Sequence, residues 1–327
     1  REMDLIAYRV TRFDEDEIEL YTVLVISCKK SDENAWALLA RDINLKDPNT
    51  DNWPLHSWSN DAALTYQLAR PGKPKAYHEG VRLMGVSEAI AEPKVEVFAF
   101  QEMNKVSGAP KNDKAIFSAM TSLIKAQAYE LSALPGRKKT KAVYQFNLVS
   151  VVGTDLYRLM FANVGTGVTS TPIDSEQYIA RYIVAKRESF SRVRFITAAS
   201  FATALDDYGR LHMANAKWFG AEHTAFYADI MTDPARVMSL SKEFYKRLRN
   251  YVKWRLDKKF KDLDPFDEEP ILSWSAKDSV LLIGYFEKEE VQKFMNESPE
   301  IRTVVGNALR SVYRYTGPFR FDLDIPF

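Results

Sequence analysis

The stretch that decides the fold is residues 3–10, MDLIAYRV, with residues 21–30, YTVLVISCKK, following after an acidic run. Both segments are rich in β-branched and aromatic residues and read as paired strands. Between them, residues 13–19 carry Asp14, Glu15, Asp16, Glu17 and Glu19, too much charge to bury, and read as a hairpin turn. Side chains alternate along a strand, so Asp4 shares a face with Ile6 and Tyr8, while Val23, Val25, Ser27 and Lys29 share one in the second strand. Leu24, Ile26 and Cys28 make the opposite face apolar as well, which predicts a strand covered on both sides.

Working outward, residues 34–41 (NAWALLAR) read as a short helix, and residues 42–93, with five prolines, as a long insertion. Residues 95–100 (VEVFAF) alternate as a strand, and a helix runs from Asn112 until Pro135-Gly136 ends it. A strand over 142–152 turns at Gly153-Thr154-Asp155 into a second strand, 156–161, as a hairpin. Asp174 or Ser175 opens another helix, and 192–198 is a further strand. This alternation predicts an α/β fold, a mixed sheet flanked by helices. Past Asp206 the pattern turns mainly helical, which divides the chain into 1–206 and 207–327. The second part holds a helix over 236–261, a strand over 279–285 with a helix after it, and a tail, TGPFRFDLDIPF, that alternates as an edge strand.

The 327 residues are 46% hydrophobic, ample for a substantial core, and 45 basic against 44 acidic residues leave a net charge of +1. Affinity for nucleic acid must therefore come from local patches rather than a global field. One cysteine, Cys28, forms no intrachain disulfide, and no apolar run is long enough to span a membrane; a reducing, cytoplasmic setting follows. His56, His78, His212 and His223 lack metal-ligand spacing, Gly165–Val168 lacks the ending of a phosphate loop, and no nucleophile elbow is present.

Hydrolysis of a phosphodiester needs hard oxygen donors to hold Mg²⁺, and a fixed cation near the developing charge. Asp4 on one strand with Ser27 and Lys29 on its neighbour supply part of that set. MDLIAY followed by VLVISCKKS resembles the metal-binding hairpin of the PD-(D/E)XK nuclease superfamily, in particular its Mrr-like restriction endonuclease branch. The resemblance implies a restriction-endonuclease-like core and a Mg²⁺-dependent DNA endonuclease, of restriction or phage-defence type, with Mn²⁺ as an alternative ion. Asp4 would bind metal, Lys29 would be the catalytic lysine, and Ser27 would stand where the family has a carboxylate or Gln. A Ser hydroxyl is a poorer Mg²⁺ ligand, so three outcomes stay open: weaker metal binding with activity kept, a carboxylate from elsewhere, or a nuclease fold without its chemistry. Glu96 is the first donor to check, then Gln101 and Glu102.

A second feature is the basic segment 242–261, whose nine cations face two acids. Leu240, Phe244, Leu248, Val252, Leu256 and Phe260 recur every four residues as an apolar stripe, with Tyr245, Tyr251 and Trp254 beside it. Lys246, Arg247, Arg249, Lys253 and Arg255 are the candidate nucleic-acid contacts. Such a face also suits a core-packed helix with a solvated rim, an acidic protein partner or the chain's own acidic segment 262–269; DNA, a protein partner or a homo-oligomer are the partners to test. The basic loop 137–141 is a weaker phosphate candidate.

Overall fold

The structure, a computed structural model, describes residues 3–13, 18–44, 53–91, 93–161, 167–184, 187–260, 269–286 and 288–323. The chain divides into two compact units, Arg1–Ala221 and Glu222–Phe327. In chain order the first holds strands β1 (Met3–Phe13), β2 (Ile18–Lys30), β3 (Asn34–Asp42) and β4 (Ser57–Ser59), then helices α1 (Ala62–Leu68), α2 (Lys73–Leu83) and α3 (Glu88–Ala91). Strand β5 (Val95–Asn104) and helix α4 (Lys114–Arg137) precede five strands, β6 (Ala142–Gly153), β7 (Leu156–Phe161), β8 (Val168–Pro172), β9 (Ser175–Val184) and β10 (Arg187–Thr197). The division between units falls inside helix α5 (Phe201–Tyr227).

One sheet runs β1-β2-β6-β10-β9, with β4 also paired to β6; a second runs β5-β3-β7-β8. In the first sheet β1 is antiparallel to β2, β2 and β6 are parallel, β6 and β10 are parallel, and β9 closes antiparallel on β10. Burial on both faces explains why β2 and β6 are apolar almost throughout. On one face Val23, Val25, Leu148 and Phe195 pack with Ile116, Met120 and Leu123 of α4 and with Trp36 of β3. On the other, Leu24, Ile26, Val149 and Ile196 pack with Leu211 and Phe219 of α5 and with Tyr77 and Val81 of α2. Each such side chain contributes about 1.5–3 kcal/mol on leaving water. The approach of α2 to α5 requires Gly80, where a Cβ would meet the Trp218 ring at 2.9 Å.

The second unit continues with α6 (Pro234–Ser239), α7 (Ser241–Asp257), strands β11 (Ile271–Ser275) and β12 (Val280–Phe286), helices α8 (Glu289–Glu297) and α9 (Pro299–Tyr313), and β13 (Phe319–Leu323). Its sheet runs β11-β12-β13, so the tail forms an edge strand parallel to β12. Phe244, Leu248, Val252 and Leu256 of α7 are fully buried, and Phe244 meets Tyr313 of α9 edge to face. The whole is mixed α/β, with mixed sheets flanked by helices and a C-terminal part rich in helix.

Four expectations are corrected. Residues 34–41 are strand β3, not a helix: pairing to β5 on one side and β7 on the other, with Ala35, Trp36, Ala37 and Leu38 buried, overrides the helical propensity of Ala and Leu. Residues 175–184 are strand β9, whose Tyr178, Ile179, Tyr182 and Ile183 are the residue types a pleated surface favours. Gly153–Asp155 makes no hairpin, because β6 and β7 belong to different sheets. The basic helix is shorter than 236–261: it breaks at Leu240 into α6, capped by the Asp233 carboxylate, and α7. Helix α4 passes through Pro135 and ends at Arg137. Of the expected acidic turn, residues 14–17 lie outside the described residues, while Glu19 belongs to β2.

Candidate functional site

Strands β1 and β2 pair with Asp4 in register with Ser27 and Met3 with Cys28. On its other side β2 places Ser27 opposite Ser150 and Lys29 opposite Val152 of β6. Ser27 and Lys29 lie on the face of β2 that carries Val23 and Val25, which α4 and β3 cover. They are therefore interior: Ser27 is 0% exposed and Lys29 7%. Neither the Ser27 nor the Ser150 hydroxyl has a hydrogen-bond partner among the described residues. The backbone of Asp4 is described; its side chain lies outside the described residues.

Glu96 does not join them. It stands on β5 in the second sheet, in register with Arg41, whose Nε and Nη2 donate to its two carboxylate oxygens at 2.8 and 2.9 Å. Glu102 is buried, and its Oε1 accepts the Ala115 N–H at 3.0 Å, satisfying a free donor at the start of α4. Its Oε2 accepts from Asn34 Nδ2 at 3.3 Å, and Gln101 Nε2 donates to the Glu102 and Lys111 carbonyls. Mg²⁺ demands a near-octahedral oxygen shell with carboxylates in it. Ser27 and Glu96 sit on different sheets, and among the described residues no three His, Cys, Asp or Glu side chains gather to hold an ion. Glu96 therefore does not stand beside Ser27 and Lys29.

At the other end of β2, Glu19 pairs with Lys138 and accepts from Tyr21 Oη at 3.0 Å. The hydrogen bond from Lys138 is the main reason the Glu19 carboxyl is lowered to about 2. Arg137 pairs with Glu130, and Lys141 lies 3.4 Å from Asp61. Three cations of the basic loop are thus joined to carboxylates of their own unit.

In the second unit the stripe on α7 is buried and its cations ring the opposite face. Lys246, Arg247 and Arg249 are exposed; Lys253 and Arg255 are half-buried. Arg247 pairs with Glu243 one turn back at 3.1 Å, and Arg255 reaches Glu300 of α9 at 2.9 Å. Arg249 lies over the Tyr245 ring, and Lys258 Nζ sits 3.7 Å from the centroid of Trp254, which is 49% exposed. The indole of Trp254 is thus an exposed aromatic surface among cations, with Lys258 over its face.

Sequence pattern alone missed a buried polar network on the α5 face of the first sheet. Tyr77 Oη donates to Asn215 Oδ1 at 2.7 Å, and Asn215 Nδ2 donates to Thr22 Oγ1 and Gln145 Oε1. Asn147 Nδ2 donates to Gln145 Oε1 at 2.8 Å, and His212 Nδ1 lies 2.9 Å from Thr22 Oγ1. His56 and His78 lie in the same unit, and burial holds both imidazoles far below their usual range, His56 at about 4. The only sequence signal for this network is Thr22, Gln145 and Asn147 inside otherwise apolar strands. No helix among the described residues is long and apolar enough to cross a membrane. Comparisons with family models, with curated proteins and with solved structures find no match to this chain.

Proposed function

We propose that the chain is a nucleic-acid-binding protein with a nuclease-like hairpin, engaging DNA through the exposed cationic face of α7 rather than cleaving it at Ser27. One observation carries this: on α7 a fully buried apolar stripe leaves Lys246, Arg247 and Arg249 in water beside the half-exposed Trp254. The stripe suffices to anchor the helix, so these exposed cations are not needed for packing and can turn to phosphates, Arg247 by exchanging its exposed pair with Glu243. The interior position of Ser27 and Lys29 and the capture of Glu96 by Arg41 speak against hydrolysis in this conformation. A restriction or phage-defence assembly in a reducing cytoplasm, with a protein partner or a second copy of the chain, is the setting that fits such a subunit. Binding of a short DNA duplex measured across a salt series tests the proposal: steep salt dependence is expected, and no binding at low salt would refute it.

A hydrolytic role on the same nuclease-like core is favoured by a different observation, the register of Asp4 with Ser27 and the position of Lys29 two residues on. It predicts Mg²⁺- or Mn²⁺-dependent nicking of plasmid DNA that disappears in both Asp4→Ala and Lys29→Ala. Nicking unchanged in both would eliminate the hairpin as its source.

A further inference from the structure

On the α5 side of the first sheet a crevice opens between β10, β9, β6 and α3, lined by His56, Asn147, Gln177, Arg192, Arg194 and Tyr208 among others. Arg192 and Arg194 are two apart on β10 and so share a face, and Gln177 stands opposite Arg194 on β9. Arg194 donates from Nε to Ser175 Oγ at 2.8 Å and from Nη2 to Asp207 at 3.4 Å; its buried Nη1 has no acceptor among the described residues. Arg192 donates to the Ile90 carbonyl, and among the described residues no carboxylate forms an ion pair with it. Among the described residues Arg194 thus pairs with one carboxylate, Asp207, and Arg192 with none. Asp207 is itself divided, since it also accepts from Arg210.

A cation withdrawn from water without a counter-charge is costly, and sites that keep one are candidates for binding an anion. Burial lowers the pKa of Arg192, and the charge of Arg194 adds to that effect, while Tyr77 and Tyr208 oppose it in part. Beside these donors stand two acceptors. Gln177 Nε2 donates to the Ala89 carbonyl, which fixes the amide and leaves Oε1 buried with no donor among the described residues. His56 bonds to the Phe190 backbone, its Nε2 is likewise buried without a partner, and with its pKa at about 4 the ring is neutral near pH 7.

Donors and acceptors side by side select an oxyanion that still carries a proton: its ionised oxygens meet the guanidiniums, and its P–OH donates to His56 Nε2 or Gln177 Oε1. A phosphodiester has no such proton, and neither has sulfate near neutral pH. The open volume of about 20 Å³ is little more than the roughly 10–15 Å³ that one water needs, so a tetrahedral oxyanion enters only with a small outward shift of the lining, and a base or sugar does not fit. We propose that this crevice binds a protonated phosphate oxyanion, free or as the end of a phosphomonoester, with Arg192 and Arg194 as its anchors. It is a different site from the exposed face of α7 and does not depend on it.

Calorimetric titration of the full chain with inorganic phosphate at about pH 5.5, where both phosphate and a phosphomonoester keep a proton and His56 is still neutral, and at constant ionic strength, tests the proposal. Saturable binding at one site is expected, with sulfate weaker by about tenfold or more, the cost of acceptors left without a donor. Arg192→Gln should lower phosphate affinity by at least about tenfold, as loss of a charge-assisted pair does. Its melting temperature without phosphate should be unchanged or higher, because an uncompensated charge has gone. If circular dichroism shows that variant unfolded, Arg192→Lys, which keeps the charge but loses the fork, is titrated in its place with the same loss expected. Adenosine monophosphate in place of phosphate separates the two sources: tighter binding than phosphate assigns a phosphomonoester, weaker binding the free ion. No saturable phosphate binding, equal affinity for sulfate, or unchanged affinity in a folded Arg192 variant would each overturn the assignment.

Discussion

Ser27 and Ser150 stand opposite one another in the parallel pairing of β2 with β6, both at 0% exposure and both with hydroxyls that no hydrogen bond satisfies among the described residues. A buried hydroxyl without a partner keeps its desolvation cost of about 1–3 kcal/mol, so removing it costs nothing in bonding. Ser27→Ala and Ser150→Ala are expected to leave stability unchanged or raise it by up to about 1 kcal/mol in urea unfolding. Ser27→Asp should do the reverse and destabilise by several kcal/mol, since it buries a carboxylate. If Asp4 and the new carboxylate hold a metal ion together, Mg²⁺ should restore part of that loss.

Neutralising the exposed face of α7 separates binding from folding. The triple change of Lys246, Arg247 and Arg249 to Gln should leave the urea midpoint close to wild type, because surface ion pairs such as Arg247–Glu243 contribute only about 0–1 kcal/mol. In duplex DNA binding it should reduce the slope of log K against log salt by about 0.9 for each phosphate contact removed. Leu248→Ala, inside the stripe, should instead cost about 2–5 kcal/mol of stability.

Acid stability is expected to fall in two steps. His56 has a folded pKa of about 4 against an ordinary value of 6.5, so below 6.5 protons bind the unfolded chain first. Stability is thus full above about 6.5 and declines as pH falls toward 4, by about 3 kcal/mol for this one group. His78, shifted in the same direction by burial, adds to the decline. Glu19, lowered from 4.5 to about 2, contributes stability that is present above 4.5 and lost on further acidification. Urea titrations at a series of pH values measure the profile, and His78→Phe should flatten its upper step.

The polar network on the α5 face is expected to be strongly coupled. Asn215→Ala removes partners from Tyr77, Thr22 and Gln145 together and should destabilise by about 2–3 kcal/mol or more. Tyr77→Phe strands Asn215 Oδ1, and a double-mutant cycle between the two should give a coupling of about 0.5–3 kcal/mol.

The opening strand pair, the strand over 95–100, the long helix α4 and the apolar run of β6 are legible in sequence because burial stamps a pattern on them, alternating, helical or continuous; that β5 runs on to Asn104 is not, because 101–104 reads as a polar loop. Residues 34–41 misled because Ala, Leu and Arg favour a helix locally, while the decisive partners, β5 and β7, are far away in sequence. The same holds for β9, whose apolar residues satisfy both a helical and an extended pattern. Of the candidate site, the register of Asp4 with Ser27 could be anticipated from hairpin pairing. The commitment of Glu96 to Arg41 could not, since it depends on which sheet receives β5. Charged residues on β10 gave no signal, because a buried arginine and a solvated one look alike in a string of letters.

Parallel pairing of β2 with β6 also governs how the chain assembles. Residues 31–141 lie between these two neighbours, and they carry β3, β5 and α4, elements that complete the cover of Ser27. Closing so long an excursion brings its entropic cost before its contacts repay it, which places this unit among slow folders. Until β6 docks, the inner edge of β2, with Val23, Val25 and Ile26, is an open apolar strand. Refolding yield should therefore fall as protein concentration rises, and the step that rescues it is the arrival of a strand more than a hundred residues downstream.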